Sequence, residues 1–224
     1  TYCGSDLDFI NSYHQLMNTN SSDNNFLDLI KDKFDIGNLI DYFIFQTYIG
    51  NYDWIPNASN NVKLWKSKYQ NGKWRYILYD TDFGFFWSNS RPIDTDYIYR
   101  TLNPNYSSKH SDLFNKLIQN DDFKCQFVNR YIDIINTVFN ADYFSNKLSS
   151  VKNEIISAMP EHLERWPSPY YVSINGWENL VDDIANDNPL RATYVLDHLQ
   201  SNFQLDTVID ICLDVIPPHS GEIS

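Results

Sequence analysis

Four oxygen-bearing side chains are the residues of this sequence whose types and spacing best suit chemistry. Asp53 follows an apolar helical run, Asn61 opens a probable strand, and Asp80 and Asp82 follow a second probable strand. A hairpin between the two segments would fold the second beside the first, so that Asp53, Asn61 and Asp80 converge. Two carboxylates and an amide oxygen are what metal-assisted phosphoryl transfer needs. The pattern therefore predicts a divalent-metal site.

The first two of these side chains also have a plainer interpretation. A carboxylate beyond a helix end, as at Asp53, can accept a proton from an attacking hydroxyl, but Asp also commonly caps turns. An amide oxygen before a strand, as at Asn60 or Asn61, can complete the oxygen shell of a cation, yet Asn is ordinary turn chemistry there. Spacing alone leaves both interpretations open.

The carboxylate pair of Asp80 and Asp82 is separated by one residue. In an extended segment the two would face the same side roughly 7 Å apart and repel by about 2 kcal/mol at an effective dielectric constant of 20. A bound cation would remove that repulsion, whereas solvation at a strand end would screen it. Aromatic neighbours favour the cation, because they are expected to wall the pair off from water. These neighbours are Tyr79, Phe83, Phe85, Phe86 and Trp87.

One helix and one hairpin must position these residues. Apolar residues at helical spacing predict a helix from about Gly37 to Ile49, which Gly50 ends. Alternation from Val62 and the aromatic run after Trp74 predict two strands, and Asn-Gly between them is a strong hairpin signal. The apolar face of the helix consists of Leu39, Ile40, Phe43, Ile44, Thr47 and Tyr48.

The remainder of the chain has mostly helical periodicity, which predicts an α+β protein dominated by helices. From Ser111 onward apolar residues recur at helical spacing, and Pro160 is a candidate interruption. The other predicted segments are a helix from Phe26, a loop over 165–175, and helices over 177–184 and 189–203.

Charge and hydropathy exclude two classes of partner. The net charge is −12, from 29 acidic and 17 basic residues, and the basic residues form no stripe, so no nucleic-acid partner is expected. No apolar run approaches the roughly 18 residues of a membrane span, so no membrane span is expected. By electrostatic steering, the overall acidity favours a basic or neutral substrate protein.

Three stretches of the chain together resemble the CotH family, the spore coat protein H-like atypical protein kinases. They run from Gly50 to Trp54, from Asn60 to Trp65, and from Gly72 to Gly84. The resemblance extends over most of residues 38–205, where Arg165, Trp166, Trp177 and Arg191 add weaker support.

The resemblance implies a protein-kinase-like C-lobe whose β-hairpin carries the metal-site residues. Residues 1–207 would form this lobe, a small N-terminal lobe would be encoded upstream, and 208–224 would be a tail or the start of a following module. The implied activity is phosphoryl transfer from ATP to Ser residues of a coat or other secreted protein, with Mg²⁺ or Mn²⁺ as cofactor. The spore coat or the extracellular space is the implied location.

The family motif also implies roles for single residues. Asp53 would be the catalytic Asp and Asn61 a metal ligand. Asp80 would be the metal-binding Asp, with Asp82 of the Asp-Phe-Gly triplet as a rival or second ligand. Asp53 and Asn61 are eight residues apart, whereas the common kinase loop places them five apart, and no His-Arg precedes Asp53.

Two parts that kinases use to grip nucleotide phosphates do not occur in this sequence. There is no Gly-x-Gly-x-x-Gly loop, and the only Lys residues before Asp53 are Lys31 and Lys33, which fall in a predicted helix. The chain alone is therefore expected to have negligible kinase activity.

Other functional classes fit parts of the sequence. The 16% aromatic content could supply stacking platforms for a carbohydrate-binding module, although aromatic residues at helical spacing are more often core. A non-catalytic kinase-like scaffold would keep the fold without turnover. Paired-carboxylate glycosidase chemistry is less favoured, because nothing in the sequence positions a sugar cleft.

Overall fold

The computed structural model describes residues 6–55, 60–69, 71–85, 92–106, 108–167 and 173–206. These residues are mostly helical and include one two-stranded antiparallel sheet, which agrees with the predicted α+β class. The predicted tail over 208–224 lies outside the described residues. The helices are α1 (Leu7–Asn18), α2 (Phe26–Lys33), α3 (Ile36–Ile49), α4 (Tyr97–Leu102), α5 (Lys109–Ile118), α6 (Asp121–Thr137), α7 (Ala141–Ile155), α8 (Met159–Arg165) and α9 (Ile174–Phe203), and the strands are β1 (Lys63–Lys66) and β2 (Trp74–Ile77).

Helix α3 is the buried element on which the candidate site is built. It begins after Asp35, whose side chain accepts a hydrogen bond from the backbone N–H of Asn38 over 3.2 Å. It ends at Gly50, which adopts the left-handed conformation that glycine tolerates best (φ 61°, ψ 43°). Both ends agree with the sequence prediction. The predicted apolar face is buried, and it consists of Leu39, Ile40, Phe43, Ile44, Thr47 and Tyr48.

A series of aromatic contacts joins α3 to the helices around it. Phe43 of α3 stacks on Phe114 of α5, with ring centroids 4.3 Å apart. Phe114 meets Phe127 of α6 edge to face at 5.1 Å, and Phe127 meets Phe203 of α9 at 5.9 Å. Such pairs add to the burial energy of the rings themselves. The core therefore spans four helices, α3, α5, α6 and α9.

The predicted hairpin is present as strands β1 and β2. Lys63 pairs with Ile77 and Lys66 with Trp74 in antiparallel register. The connection between the strands is longer than a two-residue Asn-Gly turn, because residues 67–73 lie between the last paired positions. Gly72 is required there, since a Cβ at this position would stand 2.2 Å from the carbonyl oxygen of Ser67.

Two predictions about the C-terminal helices have different outcomes. Pro160 is confirmed as an interruption, because α7 ends at Ile155 and Pro160 lies in the first turn of α8. The predicted separation into two helices over 177–184 and 189–203 is wrong, since α9 runs without interruption from Ile174 to Phe203, through Pro189. Proline removes only one backbone hydrogen bond from the ladder, and buried contacts of the neighbouring Asn188 and Arg191 hold the helix on both sides.

Two further predictions agree with the described residues. Helix α2 begins at Phe26, and the predicted loop over 165–175 falls between α8 and α9, although 168–172 lie outside the described residues. In the described part of the chain, no helix has both the length and the apolar character needed to cross a membrane.

Candidate metal and phosphoryl-transfer site

The loop that carries Asp53 is fixed to α3 by the next residue. Trp54 is fully buried, and its indole N–H donates a hydrogen bond of 2.9 Å to the hydroxyl of Tyr42. Burial raises the pKa of Tyr42 to about 12, so its hydroxyl stays protonated at neutral pH. The Trp54 ring also packs edge to face against Phe43. These contacts hold Asp53 at a defined distance beyond the end of α3.

Asp53 and Asn61 are in direct contact. The side-chain amide nitrogen of Asn61 donates a hydrogen bond of 2.6 Å to the Oδ2 atom of Asp53, and both residues are half-buried. Because the amide nitrogen is the donor, the amide oxygen of Asn61 keeps its capacity to bind a cation. The structure thus brings together the two residues that the sequence placed in one site.

Three hydrogen bonds dock the segment after β2 against the Asp53 loop. The backbone N–H of Tyr52 donates to the carbonyl of Phe83 over 3.2 Å, and that of Phe85 donates to the carbonyl of Ile49 over 2.7 Å. The buried side chain of Asn51 donates to the carbonyl of Asp80 over 3.4 Å. The return of the hairpin beside the helix end, on which the site prediction depends, is therefore present.

Gly84 permits this close docking. A Cβ at position 84 would lie 2.7 Å from the Cδ1 atom of Ile49 and 3.1 Å from the carbonyl oxygen of Thr81. Contacts under 3.0 Å are not sustained between such atoms, so with a larger residue either the buried Ile49 side chain or the Asp80 segment would have to shift. The glycine of the Asp-Phe-Gly triplet thus has a packing role at the end of α3.

Left-handed backbone conformations concentrate at the site. Among the described residues, five non-glycine residues have positive φ, and three of them lie at the site: Asn61, Asp80 and Phe85, with φ values of 54°, 53° and 54°. Asn and Asp visit this region more easily than other non-glycine residues, whereas a Phe there stores strain of order 1 kcal/mol. Strain of this kind is typical of functional sites. Two of the predicted ligands, Asn61 and Asp80, thus adopt left-handed backbone conformations, and the strained Phe85 lies close by in sequence.

Electrostatics link the three carboxylates. The pKa of Asp82 is raised, first by partial loss of solvation, then by a hydrogen bond with the Asp80 carboxyl and by repulsion from Asp80 and Asp53. The charges of Asp80 and Asp53 therefore both disfavour the ionised form of Asp82. A divalent cation would relieve this repulsion.

The prediction that aromatic residues shield Asp80 and Asp82 from water is wrong in the described residues. Both carboxylates are exposed, and Tyr79 is itself 44% exposed. The Tyr79 ring instead receives the ammonium of Lys63, 3.1 Å from its centroid. Phe85 turns toward α7, where it packs on Phe144 with centroids 5.8 Å apart. Phe83 is half-buried, and Phe86 and Trp87 lie outside the described residues.

The donor set suits a hard cation. Among the described residues, no group of three or more His, Cys, Asp or Glu side chains is arranged to hold a metal ion. A site here would combine the Asn61 amide oxygen with the Asp80 and Asp82 carboxylates. Oxygen-only donors of this kind fit Mg²⁺ or Mn²⁺ and not Zn²⁺, which prefers nitrogen and sulfur.

Asn38 anchors the hairpin to α3, although no pattern in the sequence singles it out. Its amide oxygen accepts from the backbone N–H of Tyr76 over 2.7 Å, and its amide nitrogen donates to the carbonyl of Tyr76 over 3.1 Å. Arg75 adds an ion pair of 2.7 Å with Asp35. These partners are about 40 residues apart in sequence, and no local pattern signals the pairing.

Arg191 supports the same region from α9. Its guanidinium is almost fully buried and donates to four backbone carbonyls, at 2.8 Å to Tyr48 and Thr47 and at 2.9 Å to Ile93 and Thr95. The first two carbonyls belong to the last turn of α3, which has few helical partners of its own. Arg191 thus fixes the helix end from which the Asp53 loop starts.

These features define an α+β protein with an oxygen-rich candidate metal site between a helix end and a β-hairpin. The family described as CotH kinase protein matches residues 3–195 of the chain. The chain belongs to this family, as its motifs indicated, and a kinase-like function is supported at the level of the family. No curated protein and no solved structure matched the chain.

Proposed function

We propose that this chain carries the metal-dependent site of an atypical protein kinase that transfers phosphate from ATP to Ser residues of a protein. The observation that carries the proposal is the hydrogen bond of 2.6 Å between Asn61 and Asp53, with Asp80 docked alongside. Family membership supports the same reaction class. In this proposal the chain is the larger lobe of a protein-kinase-like fold, and its parent acts in the spore coat or outside the cell.

Asp53 is the proposed catalytic residue. Its carboxylate accepts the proton of the attacking Ser hydroxyl and orients that hydroxyl toward the phosphoryl group. The Asn61 N–H holds one carboxylate oxygen of Asp53 in place. Such pre-positioning lets the acceptor hydroxyl approach in one geometry.

Asn61, Asp80 and Asp82 are the proposed ligands of Mg²⁺ or Mn²⁺. The ion, when bound, would neutralise negative charge on the phosphates of ATP. The neighbouring carboxylates of Asp80 and Asp82 favour a divalent charge between them, and their exposure leaves room for phosphate oxygens to complete the shell. The left-handed backbone at Asn61 and Asp80 fixes the direction from which each side chain enters the site.

Transfer requires a cover for the nucleotide phosphates, which no Gly-x-Gly-x-x-Gly loop in this sequence supplies. We therefore expect transfer from the full-length natural protein and negligible transfer from the 224-residue chain alone. Robust phosphorylation of a Ser-containing protein by the chain alone, with ATP and Mg²⁺, would contradict the assignment as a single lobe.

The test compares two isosteric substitutions in the full-length natural protein. Asp53→Asn should lower kcat for transfer to a Ser-containing protein by about 10²- to 10⁴-fold. Asp183→Asn, on the exposed surface of α9, should leave kcat within twofold. Full turnover in Asp53→Asn would overturn the catalytic assignment. Nucleotide binding without any turnover in the wild-type protein would indicate the non-catalytic scaffold, and binding of polysaccharide with no nucleotide effect would indicate the carbohydrate-binding alternative.

A further inference from the structure

The hairpin segment is basic, although the protein as a whole is acidic. Residues 54–79 contain no Asp or Glu, although the net charge of the chain is −12. The same stretch contains five basic residues, which are Lys63, Lys66, Lys68, Lys73 and Arg75. This stretch of sequence therefore carries a net charge of sign opposite to that of the whole chain.

One face of the hairpin is open to solvent. Lys63 and Trp65 of β1 lie on the same side as Arg75 and Ile77 of β2, since Lys63 pairs with Ile77 and Trp65 with Arg75. We call these four residues the outer face. Trp65 is 46% exposed and Ile77 39% exposed, whereas Tyr76 on the opposite face is buried.

Much of the basic charge stays available to a partner. Lys66 pairs with Asp8 at 2.9 Å and Arg75 with Asp35 at 2.7 Å. Lys63 lies over the Tyr79 ring, which leaves its charge uncompensated. Among the described residues, Lys63, Lys68 and Lys73 form no ion pair. Lys73 does act electrostatically on the exposed Asp32, whose carboxylate pairs with Lys33.

The outer face begins beside the candidate site. Lys63 is two residues from Asn61, and β1 runs on to Lys66, about 10 Å further along, with Lys68 just beyond the end of the strand. An extended segment of a partner could therefore place a Ser hydroxyl at Asp53 while residues some three to six positions away lie against the lysines. Exposed aromatic rings at Trp65 and Tyr69, which is 87% exposed, would pack against side chains of that segment.

We infer that the outer face of the hairpin, together with Lys68, Tyr69 and Lys73, binds an acidic polypeptide segment. Carboxylates of the segment pair with Lys63, Lys68 and Lys73, and an apolar or aromatic residue of the segment packs on Trp65. This inference rests on the proposed function only in making the segment part of the phosphoryl acceptor. It reverses, next to the site, the preference for a basic substrate that the overall charge suggests.

The binding test uses three fluorescent Ser-containing peptides of equal length, one rich in Asp and Glu, one with Asn and Gln in their place, and one with Lys in their place. Anisotropy titrations of the full-length natural protein without nucleotide should give at least tenfold tighter binding of the acidic peptide than of the neutral one. Raising the salt concentration from 50 to 500 mM should weaken that binding. Equal affinity for the acidic and neutral peptides would overturn the inference.

Matched variants locate the binding surface. The triple substitution Lys63→Gln, Lys68→Gln and Lys73→Gln should weaken the acidic peptide at least tenfold, and circular dichroism checks that it folds. Removing the same charge elsewhere, with Lys116→Gln, Lys124→Gln and Lys147→Gln, should change affinity less than twofold. Equal weakening by the two triples would show a general charge effect and contradict the assignment.

An exposed tryptophan gives a second, independent variant. Trp65→Ala should weaken the acidic peptide about fivefold or more, whereas Trp166→Ala, at a 61% exposed position on another part of the surface, should not. Tighter binding of a single-stranded oligonucleotide of equal charge than of the acidic peptide would assign the surface to nucleic acid instead.

The outcome is separable from that of the proposed function. Peptide binding is measured without nucleotide, whereas transfer is measured with ATP and Mg²⁺, so each readout can fail without the other. Binding of the acidic peptide without phosphoryl transfer would contradict the proposed function and would leave the inference about the hairpin intact. Transfer to the neutral Ser peptide with the same KM as to the acidic peptide would defeat only the inference about the hairpin.

Discussion

The side-chain amide of Asn61 donates to the Asp53 carboxylate over 2.6 Å, across eight residues of sequence. The common kinase spacing between the catalytic Asp and the metal-binding Asn is five residues. The two side chains are nevertheless in contact here, and Asn61 has a left-handed backbone just before β1. The spacing in this chain therefore differs from the common one although the two side chains meet.

Asn61→Gly should abolish function while sparing the fold. Glycine accepts the φ of 54° at position 61 without strain, so the variant removes the amide and little else. We expect kcat for transfer by the full-length natural protein to fall by at least 100-fold, with the free energy of unfolding of the chain lowered by no more than about 2 kcal/mol.

The control for that variant is Asn71→Gly. Asn71 has a φ of 64°, and it lies in the hairpin connection away from Asp53. Asn71→Gly should leave kcat for transfer within twofold of the wild-type value. Urea titrations measure the stability of both variants. Full transfer by Asn61→Gly would show that the contact with Asp53 has no role in the reaction.

Gly84→Ala should loosen the site from α3. The new Cβ would stand 2.7 Å from the Cδ1 atom of Ile49, and overpacking of this kind costs roughly 1–3 kcal/mol. Urea unfolding of the chain measures the loss. Adding Ile49→Val deletes the Cδ1 atom and should recover part of the stability.

Gly37→Ala is the matched glycine control. At position 37 the nearest atom to an added Cβ is 3.8 Å away, and the residue lies in α3, so this substitution should stabilise by up to about 1 kcal/mol. Equal effects of the two Gly→Ala changes would rule out close packing as the reason for Gly84.

Arg191→Lys should destabilise the chain although it keeps the charge. A lysine cannot reproduce a planar group that donates to four carbonyls, and hydrogen bonds from charged groups contribute roughly 1.5–3 kcal/mol each. We expect a loss of about 3 kcal/mol or more in the free energy of unfolding. Arg165→Lys, at an exposed position of α8, should cost less than about 0.5 kcal/mol. Similar losses of unfolding free energy at both positions would show that the four hydrogen bonds of Arg191 do not stabilise the end of α3.

Stability should fall in mild acid because of His110. Burial, with a smaller effect of Lys109, lowers the pKa of His110 to about 4, and its Nδ1 atom lies 3.1 Å from the hydroxyl of Tyr76. In the unfolded chain the pKa of a His is about 6.5. Between pH 6.5 and 4 the unfolded state therefore binds a proton that the folded state does not, so stability falls as pH falls through this window.

Below pH 4 the free energy of unfolding should be about 3 kcal/mol lower than at neutral pH because of His110, since one pKa unit corresponds to 1.36 kcal/mol. His110→Gln should remove that part of the pH dependence in urea titrations at pH 7, 5.5 and 4. His14→Gln, at an exposed position of α1, should retain it. A pH dependence of His110→Gln identical to that of the wild type would refute the role of His110.

Local patterns in the sequence predict α3 and the hairpin well. The limits of α3 follow from its apolar period and from Gly50, and β1 and β2 follow from alternation around an Asn-Gly pair. The width of the hairpin connection does not follow, because it depends on the close approach of Gly72 to the Ser67 carbonyl. That approach is a packing event and leaves no periodic signal.

Long-range polar contacts explain what the sequence could not predict. Asn38 and Arg191 hold the hairpin and the end of α3 through partners 38 to 144 residues away, and neither has a local motif. Buried contacts of Arg191 and its neighbour Asn188 also keep α9 continuous through Pro189. The predicted aromatic shielding of Asp80 is wrong because the Tyr79 ring packs against the Lys63 ammonium instead.

Electron paramagnetic resonance can follow Mn²⁺ binding to the full-length natural protein with ATP present. It tests directly whether one cation is held by Asn61, Asp80 and Asp82. We predict a bound ion whose affinity falls at least tenfold in Asp80→Asn with Asp82→Asn. The same affinity should be kept in Asp183→Asn with Asp187→Asn, which removes equal charge from the exposed surface of α9. Unchanged Mn²⁺ affinity in the Asp80 and Asp82 double variant would contradict the account.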